Sequence, residues 1–584
     1  MRTNRKVEEK KMSMNKNIAR LAVTAGLTAA LSFGGVMAPV TMAFAEGAAA
    51  PANSITINKN ANNGSVKYKA YQIFEADVVD ETGKTGKTDK VVSNVKWATG
   101  VEDETQKAII AAINNKQNGA LKATASAQDV ADWLTANITG TTNATVLKDA
   151  DLLNTLAGLV AKDVTPTNPT NPTGTTDGSF AADTKVSFDK SGYYLFLTDM
   201  DTLASDESKT GSKNTATSPI YAVVGAGDVI VSEKTSIPTV NKEVREGTSW
   251  GKVSDSYIGE EVEYKLTGSV ASNIDTFTKY EYSFQDHLSV GLEASKDSVR
   301  VTIDGKSTNA CTVDLADTKD ASGNLTGGQD LTISFSDLKA AATAAGVKLT
   351  GDSKVVVTYK AKLTDKAEYK ATGNTNEVKL VYSNNPMTND KGTSESDKVT
   401  DYVFGLDVTK TASDDPQKML VAGFKVKMTK EGTTPVNGEK WLTETGGLTD
   451  DSGKAGVFKT KKTDSKVFIP GLVAGEYEIT ECETPAGYNS ISFTIVVTPT
   501  YNETTGELTG LTVTPSSNMV TSELGENVTS TRIPITIENK KGSSLPLTGL
   551  NGVTFTWIAG GAVLCIGVAH LIRSRKQAEE SEQE

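Results

Sequence analysis

The feature that most constrains this 584-residue chain is a pattern that recurs from Ile237 to Ile537. Short runs of alternating apolar and polar residues are each closed by a cluster of Gly, Asn, Asp, Ser or Pro. A period of two puts every second side chain on one face of a strand, so each run predicts a strand with one buried face. Many short antiparallel strands of this kind bury their apolar faces by stacking as two sheets. Val262–Leu266, Tyr280–Phe284, Val299–Ile303, Leu331–Phe335, Val355–Ala361 and Val378–Tyr382 predict one such sandwich. Phe404–Val408, Phe424–Met428, Glu476–Thr480, Ile491–Val497, Leu511–Thr514 and Ile533–Ile537 predict a second, smaller one.

The region before them, Ser54 to about Ile230, is mixed. Val66–Phe74, Tyr193–Thr198 and Tyr221–Val224 read as strands; Thr105–Gln117, Ser126–Asn137 and Leu147–Lys162 have helical periodicity. Ser126 and Asp129 have the spacing of a helix-capping pair. Thr165–Asp177, with three prolines among Thr and Asn, reads as a stiff polar loop or linker. The expected class is therefore mainly β, with helical insertions in the first domain.

The two ends carry export signals. A basic head (Arg2 to Arg20), an apolar run from Leu21 to about Met37 and Ala43-Phe44-Ala45 predict a secretory signal peptide over 1–45. At the other end, Leu545-Pro546-Leu547-Thr548-Gly549 precedes an uncharged stretch, Leu550 to Ile572, and then Arg573-Ser574-Arg575-Lys576. The stretch is long enough to cross a bilayer, with its basic flank left on the cytoplasmic side. Pentapeptide, span and basic tail in this order resemble the cell-wall sorting signal read by sortases of Gram-positive bacteria. The resemblance implies cleavage between Thr548 and Gly549 and transfer of the Thr548 carbonyl to an amine.

Composition excludes several functions. With 72 acidic against 60 basic residues, the chain lacks the basic face that nucleic acid requires. Two histidines and three cysteines leave no zinc-binding set and no disulfide scaffold, and no cofactor is implied. Gly83-Lys84-Thr85 and Gly86-Lys87-Thr88 lack the earlier glycine of a phosphate loop, and His287 has no ligand-spaced companion. No hydrolase signature appears, so the expectation is a protein that is not an enzyme.

The most informative segment runs Tyr477-Glu-Ile-Thr-Glu481-Cys-Glu-Thr-Pro485-Ala-Gly487-Tyr488. Alternation puts Glu481 on the same face as Tyr477 and Ile479, directed at the core. A charge there is costly, so the carboxyl must be neutral or partnered. The segment resembles the E-box of Gram-positive pilins and Cna-B-type surface domains, with Ile479 in place of Leu. That resemblance implies a spontaneous amide between Lys410 on the first strand and Asn539 on the last, promoted by Glu481. Burial would make the lysine a neutral nucleophile and keep the carboxyl protonated.

A looser parallel covers the preceding domain. Lys242 opens it, Asp286 sits on a central strand, and Asn374 and Asn376 lie near its last strands. This looks like a fimbrial Cna-A-type domain and implies Lys242 joined to Asn376 with Asp286 as the acid; Asn374 is the rival acceptor. Ser232-Glu233-Lys234-Thr235 occupies the place of the pilin motif of backbone pilins but lacks its Tyr-Pro, and Lys234 is the expected intersubunit acceptor. No comparable triad stands out in the first domain, although Lys59 sits in a plausible first strand.

The chain thus resembles a sortase-assembled backbone pilin built of tandem Ig-like, Cna-type sandwiches. The expected division is 1–45 signal peptide, 46–235 N-terminal pilin domain, 236–402 Cna-A-type domain, 403–541 Cna-B-type domain and 542–584 sorting signal. Expected partners are further copies joined from Thr548 to Lys234, sortases, peptidoglycan, and minor tip or basal pilins. The rival readings are a monomeric wall-anchored adhesin, a basal pilin, and a wall-anchored enzyme housed in 46–230.

Overall fold

The computed structural model describes residues 53–60, 63, 66–81, 89–117, 121–138, 150–170, 177–204, 215–233, 235–525 and 528–542. Lys234, the signal segment 1–45 and the sorting residues Leu545, Pro546, Thr548 and Gly549 lie outside them. Among the described residues no helix is long and apolar enough to cross a membrane.

The architecture is mainly β, as the alternation predicts. In the first part, strands Asp89–Trp97, Lys67–Glu81, Gly192–Thr198 and Ile220–Val224 lie side by side, with Ser179–Ala181 also paired to Lys67–Glu81. Gly192–Thr198 is buried along its whole length because it faces two cores. Tyr193, Leu195 and Leu197 join a core with the helices Asp103–Gln117, Ala127–Ile138 and Ala150–Asp163. Tyr194 and Phe196 join a second core with Ile55, Ile57 and Val229 of a separate three-stranded sheet. The Ser126–Asp129 capping pair forms as the sequence predicts: the Asp129 amide donates to Ser126 Oγ at 3.2 Å, and the Ser126 amide donates back to the Asp129 carboxylate at 2.8 Å.

Residues from Val240 onward build two sandwiches. In the first, one sheet has the order Ser249–Gly251, Val240–Glu246, Glu261–Ser269, Lys354–Leu363, Leu292–Ile303, Lys306–Ser307. The facing sheet runs Val253–Asp255, Asp397–Tyr402, Asn374–Ser383, Tyr282–Leu288, Leu325–Phe335, Thr312–Lys319. In the second, a four-stranded sheet (Lys466–Leu472, Phe404–Ala412, Arg532–Asn539, Val520–Ser522) faces a seven-stranded one that contains Gly423–Glu431, Gly475–Glu483 and Ser492–Asn502. Phe404–Ala412 and Arg532–Asn539 are parallel neighbours, so the first and last strands of this sandwich pair directly.

Each predicted strand of the two sandwiches overlaps an observed one. Thr312–Lys319, which has no sequence signal, is polar and mostly exposed, so it lacks the apolar alternation that marks a buried face. The helix Leu338–Ala344 was not predicted either; it is short and capped by the Asp337 carboxylate, which accepts from the Lys339 amide.

Candidate functional site

The two sandwiches each bury a lysine, a carboxyl group and an asparagine, and each assembles them differently. Alternation explains the burial. Lys242, Asp286 and Asn376 occupy inward positions of their strands, as do Lys410, Glu481 and Asn539. All six are at most 5% exposed.

In the first sandwich Lys242 comes from one sheet, and Asp286 and Asn376 come from the sheet facing it. Lys242 Nζ donates to Asp286 Oδ1 at 2.5 Å and to the Tyr359 hydroxyl at 3.2 Å. The Tyr359 hydroxyl donates to Asp286 Oδ2 at 2.6 Å and accepts from Asn376 Nδ2 at 2.7 Å. The amine lies 5.5 Å from the ring centres of both Tyr264 and Tyr359, which stack on each other. Burial holds the Lys242 amine down to about 8, against the opposing pull of the Asp286 charge. Burial raises the Asp286 carboxyl, with Lys242 opposing. Both shifts favour the uncharged pair, as expected of ions removed from water.

Asn374 also points inward, but its amide is taken up locally. Its Oδ1 accepts from the Glu368 amide at 2.8 Å, and its Nδ2 donates to the Asp401 carbonyl at 3.2 Å. Asn376 is the asparagine that reaches the Lys242 cluster, and its Oδ1 is buried without a hydrogen-bond partner.

In the second sandwich lysine and asparagine share a sheet, and the acid faces them from the other. Lys410 Nζ donates to Asn539 Oδ1 and, at 3.1 Å, to the Ile537 carbonyl. Asn539 Nδ2 donates to both carboxyl oxygens of Glu481 at 2.9 Å. The Lys410 amine is 4.0 Å from Glu481 Oε1. Burial brings Lys410 down to about 8 and raises Glu481. The turn after Glu481 is closed by the Tyr488 amide on the Pro485 carbonyl, with Gly487 at φ +87°, a conformation that favours glycine. That turn also grips the chain just beyond Asn539: the Gly542 amide donates to the Gly487 carbonyl, and Tyr488 bridges to Lys541.

Chemically, either set can join its lysine to its asparagine. In each set an amine that burial makes easier to deprotonate shares a buried cluster with a carboxamide, and a protonatable carboxyl is placed to carry the proton that must move from the attacking to the leaving nitrogen. Tyr359 is not among the residues expected from sequence. Its signal was present: Tyr359 shares the inward face of Lys354–Leu363 with Val355, Val357 and Ala361, so its hydroxyl is a polar group directed at the core.

Two other expectations concern this region. Lys59 Nζ donates to the Asn63 carbonyl at 2.9 Å rather than joining an acid and an asparagine side chain. The buried acid nearby is Glu233, which accepts from the Asn60 amide, Asn63 Nδ2 and the Tyr68 hydroxyl. The chain on both sides of position 234 is thereby anchored, since Asn60 Nδ2 also donates to the Thr235 carbonyl at 2.7 Å.

No model of a known protein family matches the chain, and no curated protein matches its sequence. Among solved structures it is similar to the T6 backbone pilin of serotype M6 Streptococcus pyogenes, at 16% identity and a TM-score of 0.48, over 84% of this chain and 99% of that one. It is similar to the Corynebacterium diphtheriae major pilin SpaA at 13% identity and a TM-score of 0.40, over 84% of this chain and 100% of that one. The full-length major pilin SpaD of the same organism aligns at 14% identity and a TM-score of 0.41, over 84% of this chain and 98% of that one.

Proposed function

We propose that this chain is the structural backbone subunit of a covalently polymerised, cell-wall-anchored pilus, strengthened by internal amides between Lys242 and Asn376 and between Lys410 and Asn539. The observation that supports this reading most is the pair of buried lysine–acid–asparagine sets, one in each sandwich, with burial shifting amine and acid toward their neutral forms. At pH 7 a lysine at about 8 is neutral in about one molecule in ten, against about one in three thousand for an ordinary lysine. The amine attacks the asparagine Cγ, one proton passes from Nζ to Nδ2, and ammonia leaves.

The role as a shaft follows from where load would enter and leave. If sortase joins Thr548 of one subunit to Lys234 of the next, tension runs from 234 to 548. The Lys242–Asn376 bond then bypasses the first sandwich and the Lys410–Asn539 bond bypasses the second. Each closes a loop of over a hundred residues, worth on the order of 5 kcal/mol in chain entropy. Under force the larger effect is that a covalent bond holds where a ladder of hydrogen bonds gives way. The secretory signal and the sorting signal supply export and attachment to peptidoglycan, and minor pilins would occupy tip or base.

The test is an immunoblot of wall extracts boiled in detergent, comparing wild type with Lys234→Ala in cells carrying the matching sortase. A ladder that disappears in the variant is expected. A ladder in both moves the acceptor to another lysine, and a single band in both makes the chain a monomeric wall adhesin.

A further inference from the structure

The two buried sets differ in one respect that bears on how the amides form. In the second sandwich the carboxyl of Glu481 touches the amide directly, both of its oxygens accepting from Asn539 Nδ2 at 2.9 Å. In the first, the acid is aspartate, one methylene shorter. Its oxygens are engaged by Lys242 at 2.5 Å and Tyr359 at 2.6 Å, and the hydroxyl that meets Asn376 Nδ2 at 2.7 Å is that of Tyr359. The hydroxyl therefore stands between acid and leaving nitrogen, where Glu481 needs no intermediary.

We propose that Tyr359 is a catalytic residue of the Lys242–Asn376 crosslink, relaying a proton between Asp286 and the leaving nitrogen of Asn376. The inference rests on the crosslink reading given above. The neutral amine of Lys242 attacks Cγ and gives one proton to Asp286 Oδ1. The Tyr359 hydroxyl, which donates to Oδ2 in the resting arrangement, turns its hydrogen toward Nδ2 and passes it there as it takes the carboxyl proton from Oδ2. The Cγ–Nδ2 bond breaks and ammonia departs. Asp286 begins and ends with one proton, Tyr359 begins and ends as a phenol, and the net change is one N–C bond exchanged for another.

The surroundings suit a relay. Tyr359 is 1% exposed, so bulk water does not compete for the proton. Its ring is held by stacking on Tyr264 at 5.3 Å and 18°, across a direct register pair. It belongs to the Lys242 sheet, whereas Asp286 and Asn376 belong to the other, so the hydroxyl links the sheets at the point where the bond must form. Among the described residues, no tyrosine hydroxyl is a hydrogen-bond partner of Lys410, Glu481 or Asn539, which makes that site an internal control.

The experiment is a synthesis pulse of the full chain, wild type and Tyr359→Phe, followed over time by digestion and quantification of the two crosslinked peptides. The variant is expected to form Lys410–Asn539 at the normal rate and Lys242–Asn376 about a hundredfold or more slowly, the usual weight of general acid–base help. Equal rates of Lys242–Asn376 formation in both chains overturn the role of Tyr359. Absence of that peptide from wild type overturns instead the crosslink itself. Should Tyr359→Phe fail to fold, wild-type chain made with 3-fluorotyrosine keeps every phenol but makes it more acidic. The rate of Lys242–Asn376 formation should then change while that of Lys410–Asn539 stays the same; an unchanged ratio of the two rates overturns the proposal.

Discussion

Lys410 and Asn539 lie on neighbouring parallel strands of one sheet, two positions out of register: Lys410 is opposite Ile537, and Asn539 is opposite Ala412. Parallel strands with this stagger let a lysine side chain reach along the sheet to the asparagine beyond its partner. Lys242 and Asn376, by contrast, approach across the core from opposite sheets. The first arrangement would weld two strands side by side, and the second would staple two layers together.

If both bonds form, the purified fragment 46–544 should weigh two ammonia molecules less than its sequence. Lys242→Ala and Lys410→Ala should each restore one. Intact mass spectrometry decides this, and an unreduced wild-type mass would falsify both crosslinks.

The two inward asparagines of the Asn374–Ser383 strand should separate cleanly. Asn376→Ala should abolish the crosslink to Lys242, because Asn376 is the one hydrogen-bonded into the cluster. Asn374→Ala should leave it intact, since that amide serves the backbone at Glu368 and Asp401. Peptide mapping of the two variants reads the difference directly.

Replacing Glu481 by Gln should leave Lys410 and Asn539 unjoined, because the amide of Gln cannot carry the proton. The last sandwich should then unfold at lower denaturant, with stability reduced on the order of 5 kcal/mol. An unchanged denaturation midpoint together with a missing crosslink would refute the entropic account of its contribution.

Crosslinking should depend on pH in a bell-shaped manner. The amine must be neutral and the acid protonated. With both lysines held at about 8, deprotonation of the amine sets the limb that rises toward pH 8, and ionisation of the carboxyls, which burial raises above their ordinary range, sets the opposing limb. Time courses after a synthesis pulse at several pH values provide the profile; a rate that still climbs steeply above pH 10 would mean the lysines are not depressed.

The seam between the sandwiches should also respond to pH. Asp255 accepts from the Ala474 amide at 3.0 Å and the Tyr501 hydroxyl at 3.1 Å, joining one sandwich to the other. Burial pushes Asp255 up to about 6 and nearby Glu260 up to about 8, with the Glu431 charge adding to both. Their folded values exceed the unfolded ones, so the folded state binds the extra protons. The stability contribution is therefore complete at low pH and lost as pH rises through about 6 to about 8. Small-angle scattering of the full chain should show a fixed angle between the sandwiches at pH 5 and a broader distribution at pH 9. Asp255→Asn should remove the part of that change that falls up to about pH 6, leaving the part toward about pH 8 that Glu260 carries.

Much of this was written in the chain itself. Alternation alone identified the inward face of each long strand, and with it the anomaly of Glu481 among Tyr477 and Ile479. Lys410, Asn539, Lys242, Asp286 and Asn376 were singled out instead by the family resemblance, and their inward positions in the structure agree with the same strand period. Tyr359 was open to the same reasoning but reads as an ordinary aromatic core residue until its neighbours are known. Polar edge strands such as Thr312–Lys319 carry no such pattern and become strands only because a partner offers its free backbone groups.

What alternation cannot specify is which inward residue stands opposite which. Asn374 and Asn376 are equivalent by periodicity; the difference between them is that a loop at Glu368 reaches one and Tyr359 reaches the other. Likewise, the choice between a bond within a sheet and a bond across a core depends on strand order. So does the need for a hydroxyl between Asp286 and Asn376 where Glu481 reaches Asn539 unaided. Strand order and sheet spacing arise from the packing of residues more than a hundred positions apart, so only the folded structure decides them, whereas the inward or outward choice at each position is made by the sequence on its own.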